Sequence, residues 1–133
     1  MCFTIDHNHP TAKIAKENIN CIKILLYKRD DLVSIVQSAP YFTDHFYSDV
    51  NNRFAVKIKK TADLGIVGDS IYEGLHSYSD MVAAMRQRWN GDLVYLESYI
   101  PKGSEYYYNA ITGEYVSNAL VVNQYKIIKR LKQ

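Results

Sequence analysis

The sequence predicts an α+β fold: a single compact domain with a mostly antiparallel sheet of six or seven strands, or a partly open barrel, and one main helix. Three observations lead there. Runs rich in β-branched and aromatic residues recur along the chain and alternate at period two, most cleanly over Phe54–Lys60. One stretch, Asp80–Trp89, carries strong helical boundary signals. The 133 residues, 47% apolar and 23% charged, suffice for one core without disulfides or metal and give no sign of disorder.

Residues 1–10 contain Asp6-His-Asn-His-Pro10, a turn-like and mobile beginning. A short helix is expected over Thr11–Asn20, with Ile14, Ala15 and Ile19 on one side and Pro10 before its first turn. Cys21–Tyr27 is the first clear strand, apolar on both faces. Leu32–Gln37 fits a strand or a short helix equally well. Residues 38–52, with Tyr41, Phe42, Phe46 and Tyr47, form a long aromatic loop of the kind that binds ligands or acts as a lid.

Phe54–Lys60 is a half-exposed strand, Thr61–Ser70 a connection, and Ile71–Tyr78 a strand interrupted at Gly74. Ser77–Asp80 supplies caps for the helix, whose stripe is Met81, Met85 and Trp89, and Asn90-Gly91 stops it. Leu93–Ile100 is the next strand. Ser104–Tyr108 and Glu114–Ser117 flank a five-residue hairpin loop, Asn109–Gly113. Ala119–Ile128 closes the chain as a long β-branched strand.

A net charge of +2 is too small to argue for nucleic acid, although Lys57, Lys59 and Lys60, and Lys126, Lys129, Arg130 and Lys132, form basic patches. Cys2 and Cys21 make no disulfide framework, and Cys21 reads as a small buried residue. No apolar stretch approaches the ~18–20 residues that cross a bilayer, and no signal peptide is seen. The expectation is a cytoplasmic protein with no membrane association.

Twelve tyrosines are the outstanding compositional feature. They concentrate in Glu97–Tyr108, preceded by Gly74-Leu-His-Ser-Tyr78. A tyrosine combines a large apolar ring with a hydroxyl that needs a partner, so a cluster of them marks a cleft wall or a wet surface. Tyr99, Lys102, Tyr106, Tyr107 and Tyr108 could stack on a base and hold a phosphate. By alternation Tyr106 and Tyr108 share one face and Tyr107 takes the other, so one face is the more exposed. The competing account is a sheet with core tyrosines, which explains at least one of each adjacent pair.

His76 ends a strand beside hydroxyls and a helix start, where an imidazole and backbone N–H groups could meet an anion. The simpler account, which is favoured, has His76 bonding into the core and the serines capping. Glu97 shares a face with Leu93, Tyr95 and Tyr99, and solvent exposure is the better expectation there than a buried, shifted acid. Asp6, His7, His9 and Cys2 have poor spacing for a metal, and no metal site or cofactor is expected. No nucleophile elbow or phosphate loop is present, Gly65–Gly68 being a weak imitation of one.

Leu26–Lys28, Ser38–Tyr41, Gly74–Tyr78, Tyr99–Ser104, Glu105–Tyr107 and Gly113–Asn118 together resemble a family of small bacterial and phage-borne proteins with no established activity. The likeness spans most of residues 21–128. It implies a setting in which a host nucleotide or host protein is sequestered. His76-Ser77 followed by Ala83-Ala84 looks more loosely like ADP-ribosyltransferase-like domains. That likeness implies an NAD-using enzyme in which His76 contacts ribose and Glu97 is catalytic. The first-strand motif and the Glu-x-Glu pair of such domains are missing.

The leading expectation is a non-enzymatic binding module. Its cleft would be lined by Tyr41, His76, Tyr78, Tyr99, Lys102, Tyr106 and Tyr108, and would take a nucleotide-type ligand or a protein partner. The alternatives are the NAD-using enzyme and an oligomeric interaction protein. Lys102 beside the cluster argues mildly against the last, because lysine is depleted at interfaces.

Overall fold

The computed structural model describes residues 3–28, 31–34, 57–86 and 92–132. In chain order the first elements are β1 (Phe3–Thr4), β2 (Lys13–Ile14), β3 (Ile19–Lys28), β4 (Asp31–Ser34) and β5 (Lys57–Thr61). Then come β6 (Gly65–Val67), β7 (Ser70–Glu73), β8 (Leu75–Tyr78) and the helix α1 (Met81–Arg86). The chain continues with β9 (Asp92–Ile100), β10 (Glu105–Asn109), β11 (Glu114–Ser117) and β12 (Ala119–Lys132). A nine-stranded sheet runs β2-β10-β11-β8-β3-β9-β12-β5, with β4 added to β3, and a three-stranded sheet runs β1-β7-β6. The pairings are antiparallel, and the large sheet is open, with β2 and β5 at its ends.

The centre of the large sheet is β3–β9, paired from Ile19↔Ile100 to Leu26↔Leu93. Both strands are largely buried on both sides, as their continuous apolar runs require. Cys21 and Leu25 of β3 join Val94, Leu96 and Ile100 of β9 in one cluster, while Ile22 and Ile24 join Leu93 and Tyr95 in another. The first cluster also holds Ala15, Leu75, Leu120 and Val122, with Tyr106, Tyr115 and Ala62 against it. Side chains from both ends of the strand order meet there, so the sheet curls around this face. The second cluster lies under α1, through Tyr78, Ala83 and Ala84. A third joins the small sheet to the large one through Phe3, Ile71, Tyr107 and Val116.

The α+β class and the antiparallel sheet are as the sequence predicts, but there are more strands than six or seven. The additions are short. Thr61–Ser70, expected to be a plain connection, contains β6, which pairs with β7. The expected helix over Thr11–Asn20 does not form. Lys13 and Ile14 instead pair with Tyr106 and Glu105. Ala15 N–H donates to Ser104 O at 2.8 Å, and Gly103 N–H donates to Ala15 O at 2.8 Å. These partners satisfy the backbone without a helical turn, and tertiary pairing overrides a weak local preference. Over residues 32–34 of the ambiguous Leu32–Gln37 segment the chain is strand, and residues 35–37 lie outside the described residues.

Within the beginning expected to be mobile, Phe3, Thr4 and Asp6 make contacts with the body of the fold. Phe3 is 1% exposed and pairs with Ile71. The Asp6 carboxylate accepts N–H donors from Asn8 and Ala110, each at 3.0 Å, and Asn109 Nδ2 donates to Thr4 O at 2.9 Å. Those backbone donors hold the Asp6 carboxyl below its usual value.

Asp80 caps α1, its Oδ1 accepting Ala83 N–H at 2.8 Å. The buried residues of the helix are Ala83 and Ala84; of the expected stripe, Met81 packs against the same cluster, whereas Met85 is 42% exposed. Small residues are needed because the helix sits directly on the large side chains Tyr78, Ile22 and Tyr95. The hairpin loop also crowds the helix: a Cβ at Gly113 would lie 2.6 Å from that of Ala83. Trp89, the aromatic loop 38–52 with Tyr41, and residues 54–56 of the expected Phe54–Lys60 strand lie outside the described residues.

Candidate functional site

Alternation along β8 sends Leu75 and Ser77 into the curled face and His76 and Tyr78 to the opposite one. Pairing with β11 sets Glu114 opposite Tyr78 and Val116 opposite His76. The Glu114 Oε1 then reaches His76 Nδ1 at 2.7 Å, and the two side chains are only 10% and 18% exposed. An ionised carboxylate can only accept, so Nδ1 carries the proton and the imidazole is held in one orientation. The histidine is therefore a satisfied, oriented group within the fold. From the sequence alone Glu114 is only a charge near a turn, since nothing local shows that the β8–β11 register brings it to His76.

Glu97 is exposed on β9. It sits opposite Ile22 of β3, and Ile22 in turn sits opposite Tyr78 of β8, so a whole strand separates Glu97 from the His76 strand. The acid beside His76 is Glu114.

The tyrosines divide by the alternation expected of them. Tyr107 is buried against Phe3 and Val116, while Tyr106, Tyr108 and Tyr115 share the curled face of the sheet. The Tyr108 and Tyr115 rings lie 4.8 Å apart, and Tyr106 meets Tyr115 edge-on at 5.9 Å. His9 adds an edge contact to Tyr108 at 5.7 Å. Such rings contribute about 0.5–1.5 kcal/mol per pair beyond burial. Burial, helped by the neighbouring Tyr108, pushes the Tyr115 hydroxyl up to about 12.

The other expected ligand residues are dispersed. Tyr99 is half-buried on β9, with Lys57 Nζ 5.5 Å from its ring centre. His76 and Tyr78 lie on the helix side of the sheet. Lys102 is exposed in the turn after β9, where its N–H donates to Asn18 Oδ1 at 2.9 Å. Two clefts flank that turn. One, of about 980 Å³, is lined by Lys13, Ile14, Lys16, Glu17, Asn18, Ile19 and Tyr106. Another, of about 660 Å³, has Lys102 at its edge. Of the expected set, Tyr106 and Lys102 thus reach neighbouring but separate clefts. The lysines beside Tyr106 escape a sequence reading because residues 13–19 carry a helical pattern that hides their approach to β10.

Beneath the curled face lies a buried polar group. Lys23 is 2% exposed, and its Nζ donates to His76 O at 2.8 Å. Ser77 Oγ is buried without a hydrogen-bond partner of good geometry and lies beside the Cys21 thiol. Burial pushes that thiol up to about 11. Both Cys21 and Tyr115 hold their protons more tightly folded than unfolded, so stability is full below about pH 8 and falls as pH rises through about 11. The thiol alone should remove about 2–3 kcal/mol between about pH 8 and about pH 11.5. Urea midpoints measured across that range check this, and Cys21→Ala should flatten the first part of the decline.

Among the described residues no group of three or more His, Cys, Asp or Glu is placed to hold a metal, and no helix is long and apolar enough to cross a membrane. Comparison with protein-family models, curated proteins and solved structures gives no match.

Proposed function

We propose that this protein is a non-enzymatic binding module that holds a nucleotide-type small molecule in the cleft beside Tyr106. One observation carries the reading: a tyrosine ring, two isoleucines and two lysines, against the one carboxylate of Glu17, line the same cleft of about 980 Å³ and leave it net positive. That volume lies in the range of small-molecule sites, where an apolar lining with a few polar groups is the rule. Tyr106 packs on the core and leans on Tyr115, so its ring is pre-positioned rather than free to swing. Ile14 is 59% exposed on an edge strand, an apolar surface that a planar base would cover. Lys13 and Lys16 supply charge for phosphate as compact, adjustable ammonium groups. Asn18 adds a polar group to the rim.

The test is calorimetric titration with NAD, ADP-ribose, mononucleotides and cyclic nucleotides. At least one should bind, with its dissociation constant raised about tenfold or more by Tyr106→Leu, which keeps apolar packing and removes the ring. Lys16→Ala, at an exposed position, should weaken the same ligand and make its binding less sensitive to salt. Silence across the panel, or binding indifferent to both substitutions, rejects the reading. A bound ligand recovered unchanged after long incubation fits a binder, whereas its consumption would reinstate an enzyme.

A further inference from the structure

The cleft of about 660 Å³ on the Lys102 side of the turn has a different character. Lys59 and Lys102 line it, and so do Asp63 and Glu73. None of these four makes an ion pair among the described residues. The walls that carry these opposite charges are tied together by hydrogen bonds. Ala62 N–H donates to Asn118 O at 2.9 Å, and Asn118 N–H donates to Glu105 O at 3.0 Å. Asn118 Oδ1 accepts Glu105 N–H at 2.9 Å, and Gly103 N–H is tied to Ala15 O. One asparagine therefore joins the walls that follow β5, open β10 and precede β12.

The balance of charge selects the occupant. Two carboxylates oppose a phosphate, two ammonium groups oppose a metal cation, and among the described residues no aromatic ring lines the cleft for a base to stack upon. A molecule carrying both an ammonium and a carboxylate matches both signs at once. We propose that this cleft binds a small zwitterion, a free amino acid or a short peptide with both termini free, the ammonium facing Asp63 and Glu73 and the carboxylate facing Lys59 and Lys102. Thr61 and Ser104 add polar atoms to the lining. The volume leaves room for more than a single residue. This site is independent of the Tyr106 cleft.

The experiment follows amide shifts of the labelled full chain as alanine, trialanine, N-acetyl-trialanine and trialanine amide are added. A free zwitterion is expected to move the amides of Ala62, Gly103 and Asn118. Alanine against trialanine distinguishes the two sources. Acetylation or amidation should each weaken binding about tenfold or more, the loss of one charge-assisted contact. Lys102→Ala should weaken trialanine by a similar factor while leaving the amide form unaffected, and Asp63→Asn should do the same against the acetylated form. Lys102 and Asp63 are exposed, so these variants fold. Tyr106→Leu should change none of these values. Capped peptides binding as well as free ones, or no shift at about 10 mM ligand, overturns the proposal.

Discussion

Gly74→Ala is expected to destabilise the protein by about 2–4 kcal/mol, combining backbone strain with overpacking. Gly74 has φ of 152° and joins β7 of the small sheet to β8 of the large one. A Cβ there would fall 2.5 Å from Val116 Cγ2 and 2.9 Å from Leu64 Cδ2, deep in the contact between the sheets. The neighbours cannot withdraw easily, because Val116 is fully buried against Phe3, Ile71 and Tyr107. Gly103 is the internal control. Its φ is 88°, but nothing lies within 4 Å of the position a Cβ would take, so Gly103→Ala should cost only the backbone term, about 1 kcal/mol. Chemical denaturation should show a lower midpoint and an unchanged slope for Gly74→Ala. In the double variant with Val116→Ala the two costs should fall short of additivity, since the second change removes the clashing methyl.

Leu96→Ala should cost about 2–5 kcal/mol, whereas Glu97→Gln one residue later should stay within about 1 kcal/mol. Leu96 is fully buried in the curled face between β3 and β12. Truncating it leaves a cavity among Leu25, Leu75, Val94 and Leu120 that a two-sided sheet cannot collapse. Glu97 is exposed on the other face, so the substitution opens no cavity and an exposed charge contact is worth little. Urea titration of the two variants together tests the face assignment of the central strand. An equal loss in both would contradict that assignment.

The long strands are legible because period-two patterns and continuous apolar runs report how many faces a strand buries. Leu93–Ile100 and Cys21–Tyr27 are of this kind, and β9 and β3 lie where those patterns put them. Two-residue strands are not legible in this way. Lys13–Ile14 becomes a strand only because Glu105 and Tyr106 arrive beside it, and Phe3 is held by Ile71. The Asp80 cap locates the helix, but hydrophobic weight gives its buried side only in part. Met81 does pack over Tyr78 and Ile22, while the deepest positions there are taken by Ala83 and Ala84 and Met85 is exposed. The tyrosine faces follow from alternation. Whether those rings meet His76 or Lys102 depends on strand order, and strand order is set by contacts far apart in sequence.

The staple at Asp6 has a consequence for how the protein is made. Asp6 and Thr4 bond to Ala110 and Asn109, partners 104 and 105 residues later in the chain. During synthesis Phe3 leaves the ribosome long before either anchor exists, and its apolar ring must wait in water while most of the polypeptide is still being added. The lock therefore closes between segments about a hundred residues apart, after the later one has been made. Fluorescence from a probe placed beside Phe3 should report docking only after nascent chains extend well past Ala110, with tethering over so long a loop making it a late step.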